Sequence, residues 1–545
     1  MKTHGFLCLV LHAHLPYIRH PEHERFLEET WLFEAITETY IPLLDMFERL
    51  LHDSVDFRVA FSLSPTLVEM FNDNLLRQRY TKHLEKIIAF TEQEVSRVRR
   101  DIRFESVIAM YRKRFRRVRY LYEEVYKGDL VSAFRALSET GKIELITSAA
   151  THAFLPALSH HPQTVRAQIH IGAEQHRENF CRTPRGMWLP ECGYMPGFDQ
   201  VLTEAGIEYF FVDTHGILRG EPAPKYGTML PVHCPSGAVA FGRDSQSAKQ
   251  VWSSTAGYPG DFCYRDFYRD AGFDLDPDLL GPYLHPEGIR TFTGLKYYRI
   301  TGKTRKKKPY DRERALQKVR EHAEHFFRSR QSQIEYQHRR LGIKPVITSP
   351  YDAELFGHWW FEGPDWLEAL FRIVHHGMKN FRMITPGEYL EEAGAGRSGI
   401  QTSQPSLSSW GERGYSSVWL NRTNDYVYRH LFKAAERMIL LADTFPHAEG
   451  MLRRAINQAA RELMLAQQSD WTFIMKNRTA TEYAKERLEG HIKRFIRLYD
   501  AIVSGNISRT WLKSLEEKDR IFRNIRYSVF RSNRQPGYCS SFSYG

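Results

Sequence analysis

Cysteine is scarce and scattered. The six in 545 residues, Cys8, Cys181, Cys192, Cys234, Cys263 and Cys539, include no CxxC pair. That spacing argues against a disulfide framework and a thiolate zinc site, and it fits a reducing, cytoplasmic setting. Long apolar runs are also missing. No uninterrupted stretch reaches the roughly 18 to 20 residues needed to cross a bilayer, so no membrane partner is expected. The N-terminus, MKTHGFLCLVLHAHLPY, is apolar only from Gly5 to Leu11 and has histidines on both sides. It is too short for a secretory signal and reads as a buried first strand. Proline is limited to 25 residues while 42% of the chain is hydrophobic and 13% aromatic, which argues against disorder.

Positive charge is in excess, at +11 net. It is spread through mixed segments such as RVRRDIRFESVIAMYRKRFRRVRYLYEE, where acids and apolar residues interleave as on amphipathic helices with solvated basic faces. KTRKKK, Lys303 to Lys308, reads as an exposed loop. No nucleic-acid-binding module is recognisable, and no nucleic-acid partner is expected.

Short apolar runs alternate with helical stretches along the first 400 residues. The predicted strands are Phe6–Leu11, Phe57–Leu63, Ile143–Thr147, Gly186–Leu189, Ile207–Asp213, Val239–Gly242, Val346–Thr348 and Phe381–Thr385. SPTLVEMF places Ser64 as an N-cap with Pro65 in the first helical position. Repeated strand, loop and helix imply a parallel sheet, and its length favours a barrel. The expected organisation is a barrel over residues 1–400, interrupted by a helical insertion at about 76–138 and a mixed, charged one at about 265–340. A Gly/Ser-rich linker, EEAGAGRSGIQTSQPSLSSW, leads into a helical C-terminal part over 401–530, and residues 531–545 form a loose tail.

Polar residues recur just after these strands. Strand one is followed by HAHLP with His12 and His14, strand three by His152, strand four by Glu191, strand five by Asp213 and His215, and the late strand by Asp352 and His358. Parallel barrels carry their active sites at the C-terminal ends of the strands, so these residues point to one pocket. Two chemistries fit. Two carboxylates from different strands suit retaining glycoside chemistry, with histidines on sugar hydroxyls and Trp188, Trp359, Trp360, Trp366, Trp410 and Trp419 as flat apolar faces. HxH on the first strand with later His and Asp residues also suits a metal-dependent, deacetylase-like hydrolase. The abundance of tryptophan favours the first.

HAHLPY, ELITSAATHAFLP, GMWLPECGY, SPYDAELFGHWWFEGPDWL and WGERGYSSVWLN resemble, in order, the five motif regions of glycoside hydrolase family 57, in the subgroup of 1,4-α-glucan branching enzymes. VWSSTAGYPGDFCYRDFYRDAGFD resembles the same subgroup. The resemblance implies an incomplete (β/α)7 barrel with a small inserted helical domain and a C-terminal helical domain. It implies a retaining mechanism on α-1,4-glucan with Glu191 as nucleophile and Asp352 as general acid/base, and with no cofactor or metal. His12, His14 and His152 would hold the donor glucose. Trp188, His215, Trp252, Phe273, His358, Trp359, Trp360, Trp410 and Trp419 are the further candidate sugar contacts. Phe273 stands where some members have tryptophan, and Arg25 where an aromatic can occur. Amylase or 4-α-glucanotransferase activity within the family and an inactive glucan-binding protein are the other readings. The segment between strands five and six, GILRGEPAPKYGTMLPVHCPSGAVAFGRD, reads as a lid with Tyr226 at its tip. Glycoside chemistry further requires Glu191 ionised and Asp352 protonated, so their surroundings should push the two pKa values apart.

Overall fold

Gly5–Ala13 forms the first strand, β1, and all nine residues are buried. A strand without polar alternation must be covered on both faces, which is the situation in parallel sheets. In the computed structural model, which describes residues 3–99, 101–253, 257–283, 288–377, 380–394 and 401–532, β1 lies inside such a sheet. The strands that follow are β2 (Val59–Leu63), β3 (Ile143–Ser148), β4 (Gly186–Trp188), β5 (Tyr209–Val212), β6 (Val232–His233), β7 (Val239–Gly242), β8 (Val346–Asp352), β9 (Phe381–Met383) and β10 (Gln401–Thr402). The order β7-β5-β4-β3-β2-β1-β8 is parallel throughout. Its two ends meet at a single bridge, Arg243 to Thr348, where the Asp244 amide donates to the Thr348 carbonyl at 2.8 Å. The sheet is therefore an incomplete (β/α)7 barrel with a one-bridge seam.

Two details differ from the sequence reading. The strand expected at Phe381–Thr385 does not extend the barrel order. As β9 it pairs with Gly5–Leu7 of β1, whereas β2 pairs with β1 only from Val10 upward. The long first strand leaves one lower edge open beside the short second one, and β9 fills it. The two-residue strands β6 and β10 were not anticipated. They form a fringe, β6 antiparallel to β7 and β10 parallel to β6, and both are too short to leave a periodic signal.

Helices Asn74–Val98, Glu105–Tyr120 and Leu130–Glu139 lie between β2 and β3, and the helix Arg312–Leu341 precedes β8. Lys303 to Lys306 are exposed in a loop, and Lys307 pairs with Asp266 at 3.1 Å. After the barrel come the helices Tyr426–Thr444, Gly450–Ala466, Ser469–Asn477, Thr481–Val503 and Arg509–Lys518. No helix among the described residues is long and apolar enough to cross a membrane. Residues 395–400 of the linker and 533–545 of the expected tail lie outside the described residues.

The turn after β8 admits no side chain at Gly357. Its φ is +116°, and a Cβ there would lie 1.9 Å from the Glu38 carbonyl oxygen. Both conditions require glycine. Gly357→Ala is expected to cost at least on the order of 1–3 kcal/mol, read as a lower melting temperature by calorimetry. An unchanged melting temperature would show that this turn shifts freely.

Candidate active site

The strand ends bring the predicted histidines together. His12 is in register with Ser62 of β2 and Asp352 of β8, and Ser148 of β3 with Trp188 of β4. His12 Nδ1 lies 3.1 Å from Ser62 Oγ, and its Nε2 lies 2.9 Å from His152 Nε2. His152 Nδ1 is 2.9 Å from Ser469 Oγ. His14 Nδ1 is 2.9 Å from Ser64 Oγ, and its Nε2 is 3.0 and 3.2 Å from the two Asp470 oxygens. The His14 and His152 rings stack at 3.6 Å. Burial, reinforced by neighbouring histidines, holds the His12 and His152 pKa values well below the ordinary imidazole range, so both rings are neutral at neutral pH. Ser64 does occupy the N-cap position of helix Pro65–Phe71, yet its hydroxyl makes no cap bond. It is spent on His14.

Glu191 follows β4 in the tight turn Pro190–Cys192, where it takes φ +61°. His152 and Cys192 are likewise left-handed, at +54° and +49°. Non-glycine residues in this region are strained, and such strain concentrates at functional sites. Glu191 Oε2 accepts the Trp410 indole N–H at 2.7 Å, and its carbonyl accepts the Trp410 amide at 3.0 Å. Ser408 and Tyr194 exchange both backbone bonds nearby, at 2.9 and 3.1 Å, so the chain after the barrel lies along the Glu191 turn like an added strand. Burial pushes the Glu191 pKa up to about 8, partly offset by the Trp410 bond and reinforced by the Asp352 charge. Burial likewise pushes Asp352 up to about 7, with Arg243 and His14 pulling it back. The two values were expected to separate, and instead both rise. Each group is enclosed, and the Asp352 charge adds to the rise at Glu191. The hydrogen bonds from Trp410 and Ser469 pull the Glu191 value down, and burial outweighs them.

The aromatic candidates divide. Trp410 is half-buried against Glu191, with the Arg243 guanidinium 5.3 Å from its ring centre. Trp188, Trp360 and Trp419 are 0, 1 and 1% exposed, which corrects their assignment to the sugar surface. Trp188 backs His12 at 4.9 Å, Trp419 stacks on Phe154 at 4.3 Å, and Trp360 packs among Tyr264, Phe356 and Trp366. Such large apolar rings gain more from core burial than from a solvated wall. Trp359, Trp252 and Phe273 remain 50, 47 and 45% exposed. Trp252 lines a cavity of about 290 Å³ with Asp213, Arg243 and Lys249. His358 is occupied by Glu38, its Nδ1 2.7 Å from Oε2. His215 is held by Asp213 at 3.2 Å and the Gly414 carbonyl at 2.7 Å, so it braces the Trp410 segment. Tyr226 donates its amide to Gln401 Oε1 at 3.1 Å, and the turn after it, Gly227–Met229, packs against β7 and β8. The expected lid is thus anchored at its tip.

Residues 8–398 match glycosyl hydrolase family 57, and residues 430–530 match the C-terminal region of 1,4-alpha-glucan branching enzymes. The chain belongs to glycoside hydrolase family 57. It is 34% identical to the curated 1,4-alpha-glucan branching enzyme TK1436 of Thermococcus kodakarensis, over 98% of this chain and 79% of that protein. The solved branching enzyme of Pyrococcus horikoshii matches with TM-score 0.87 and 32% identity, covering 98% of each chain. A solved protein described as the alpha-amylase AmyC of Thermotoga maritima matches with TM-score 0.90 and 42% identity, over 97% of this chain and 99% of that one.

Beyond the family 57 motifs, the structure adds residues that sequence reading missed. Ser62 and Ser64 look like ordinary strand and cap residues. Ser469 and Asp470 look like the start of a surface helix, and Arg243 like a loop cation. Glu354 stands two residues after Asp352, accepts the His14 amide at 3.0 Å and the Tyr40 hydroxyl, and is pushed up to about 8 by burial and by Asp352. The repeated acids of SPYDAELF were the one available signal.

Trp410→Phe tests the electrostatics of the pair. Losing the N–H removes a bond to the charged form, worth about 1.5–3 kcal/mol, so the Glu191 pKa rises further. A nucleophile must be ionised, so the acid limb of the kcat/KM profile should move upward by about one pH unit or more. Activity should fall more at pH 6 than at pH 8. A uniform loss at all pH values would show that Trp410 acts through shape alone.

Proposed function

We propose that this chain is a 1,4-α-glucan branching enzyme working by retaining transglycosylation, with Glu191 as nucleophile and Asp352 as acid/base. The observation that carries the reading is the enclosed carboxylate pair, Glu191 in the turn after β4 and Asp352 at the end of β8, with the Trp410 N–H fixed on Glu191. The C-terminal match to branching enzymes and the relatives of that name support it.

In this mechanism a Glu191 oxygen attacks C1 of a glucose in α-1,4 linkage while Asp352 gives its proton to the departing O4. A glycosyl ester of Glu191 results. Asp352, now a carboxylate, takes the proton from O6 of an acceptor glucan as that oxygen attacks C1, which restores Glu191 and leaves an α-1,6 branch. His12, His14 and His152 bind sugar hydroxyls, with His12 and His152 as neutral donors and acceptors. The substrate is amylose, amylopectin or a glycogen-like glucan. Cys8, Cys181, Cys192, Cys234 and Cys263 are free thiols, consistent with a cytoplasmic enzyme.

The relative described as an amylase favours a second reading, hydrolysis of the same glucan. Amylose with iodine separates the two. Branching lowers and blue-shifts the stain with little gain in reducing ends, whereas hydrolysis raises reducing ends in proportion. Glu191→Gln should cost at least roughly three orders of magnitude in rate. Asp352→Asn should be as damaging on amylose but milder on a substrate whose leaving group needs no proton. Substantial activity in Glu191→Gln would remove the assignment.

Transfer wins over hydrolysis only if the ester is shielded from water and the acceptor is held in attacking position. Tyr226, at the start of the turn that packs on β7 and β8, is assigned to that shield. Tyr226→Ala is expected to lower new α-1,6 linkages relative to new reducing ends on one amylose sample. An unchanged ratio with activity intact would assign the shield to the Trp410 side of the cleft.

A further inference from the structure

The helix Ser245–Trp252 borders two cavities. Ser245, Ala248, Lys249 and Trp252 line the cavity of about 290 Å³ that also holds Asp213 and Arg243. Gln246, on another face of the same helix, borders a larger groove of about 590 Å³ whose other wall is the helix Arg312–Leu341. That volume lies within the range of ligand clefts, about 300–1,000 Å³. Ser329, Ser332, Gln333, Tyr336 and Gln337 fall at i, i+3, i+4, i+7 and i+8 of the long helix, so they form one stripe along it. Counted from His325, the stripe is about 18 Å long at 1.5 Å per residue.

The lining is mostly amide and hydroxyl, with one aromatic ring. Glutamine offers an N–H donor beside an acceptor oxygen, and serine both donates and accepts, which matches the neighbouring hydroxyls of a sugar. Tyr336 is 56% exposed and presents its ring to the solvent side. The two basic members of the lining are already engaged, Arg328 with Glu324 and His325 Nδ1 with the Tyr258 hydroxyl at 2.8 Å. A phosphate-bearing ligand therefore finds no free cation there, and a protein partner finds no aliphatic side chain. The floor is tied to the barrel. Asp244 caps the helix Ser245–Trp252 through the Ser247 amide at 2.7 Å, accepts from Gln333 Nε2 at 2.8 Å, and directly follows Arg243 at the barrel seam. Gln333 Oε1 and Gln337 Oε1, one helical turn apart, are buried acceptors with no partner among the described residues. Leaving them so is costly, and a small turn of the Gln337 side chain presents its oxygen to a hydroxyl in the groove.

We propose that this groove is a second α-glucan-binding site, which captures a long chain beside the helix that walls the Asp213–Arg243 cavity. The choice of α-glucan rests on the functional reading above. The shared helix is roughly 10–12 Å across, so a chain held in the groove continues close to the Arg243 side of the pocket. Engaging one polymer at two places makes the second contact intramolecular and raises its effective concentration at the carboxylate pair. A substrate too short to span both places gains nothing.

The test uses the full chain with Glu191→Gln, so that the polymer is not consumed, and reads its retardation in native gels containing increasing glycogen. Adding Tyr336→Ala or Gln337→Ala should weaken the apparent affinity by about 2- to 12-fold, the range for one lost hydrogen bond or ring contact. With Glu191 restored, the same substitutions should raise KM on amylose by a similar factor while kcat holds, and leave KM on maltoheptaose where it was. If Gln337→Ala lowers the melting temperature, the more exposed Tyr336→Ala carries the test. Unchanged retardation in the folded variants, or KM rising equally on amylose and maltoheptaose, would overturn the proposal, the second because the residues would then act through the pocket itself. Retardation is read without turnover. A chain that converts no α-glucan would remove the functional reading, and the gel would still decide the groove.

Discussion

Four consecutive residues, Gln467 to Asp470, hold the pocket together. Gln467 accepts from Gln168 at 3.0 Å, and Gln468 accepts the Tyr17 amide at 2.8 Å. Ser469 donates its amide to the His152 carbonyl at 3.1 Å and its hydroxyl meets the ring of the same histidine, while Asp470 meets His14. The barrel residues in these contacts come from the ends of β1 and β3 and from the helix after β3, hundreds of positions away in the chain. The helices after the barrel are therefore part of the site. Without them His14 and His152 would each lose a partner that fixes its ring, and the segment before them supplies the Trp410 donor to Glu191. Arg487, reaching from Thr481–Val503 to the Tyr17 carbonyl and His20 at 3.1 Å each, repeats the clasp farther out.

This enclosure has an electrostatic consequence. Glu191, Asp352 and Glu354 share a poorly solvated space, and all three pKa values rise. Burial alone cannot divide the roles of two such acids, because it raises both. In the retaining reading proposed above, that division has to come from directional groups. Trp410 aims an N–H at Glu191, while Arg243 and His14 act on Asp352 only as charges. Backbone strain at Glu191 and His152 belongs to the same arrangement, since the left-handed turns aim both side chains inward and the docked segments hold them there.

Much of this was legible in the sequence because long buried strands write themselves as continuous apolar runs. β1 is of that kind, whereas β3 (IELITS) and β8 (VITSPYD) are buried with polar residues among the apolar ones; the candidate residues His12, His14, His152, Glu191 and Asp352 were read from the barrel rule, and they lie at or within a few residues of the ends of β1, β3, β4 and β8. What escaped notice had ordinary local explanations. Ser64 satisfies the pattern of a helix cap, and Ser469–Asp470 that of a helix start, so nothing local distinguishes a hydroxyl that orients an imidazole from one that caps a helix. Trp188, Trp360 and Trp419 misled in the opposite direction. Tryptophan beside a motif looks like a sugar platform, but the same ring also fills a core, and sequence spacing does not say which face of a wall it occupies.

The aromatic rings left in solvent lie elsewhere. Trp359 stacks on Phe267 at 4.4 Å, Phe267 lies 5.7 Å from Phe292, and Phe292 lies 5.0 Å from Phe273. Lys296 sits beneath, 4.0 Å from the Phe292 ring centre and 4.9 Å from that of Phe267. This row joins the turn after β8 to the segment containing Phe273. In the branching reading, a glucan held by this row is gripped by stacking alone at Phe273, where a tryptophan would add an N–H donor. Stacking without a directional bond restrains position along the chain weakly. In that reading Phe273 bears on acceptor or chain-length preference and leaves the chemistry of the carboxylate pair as it is.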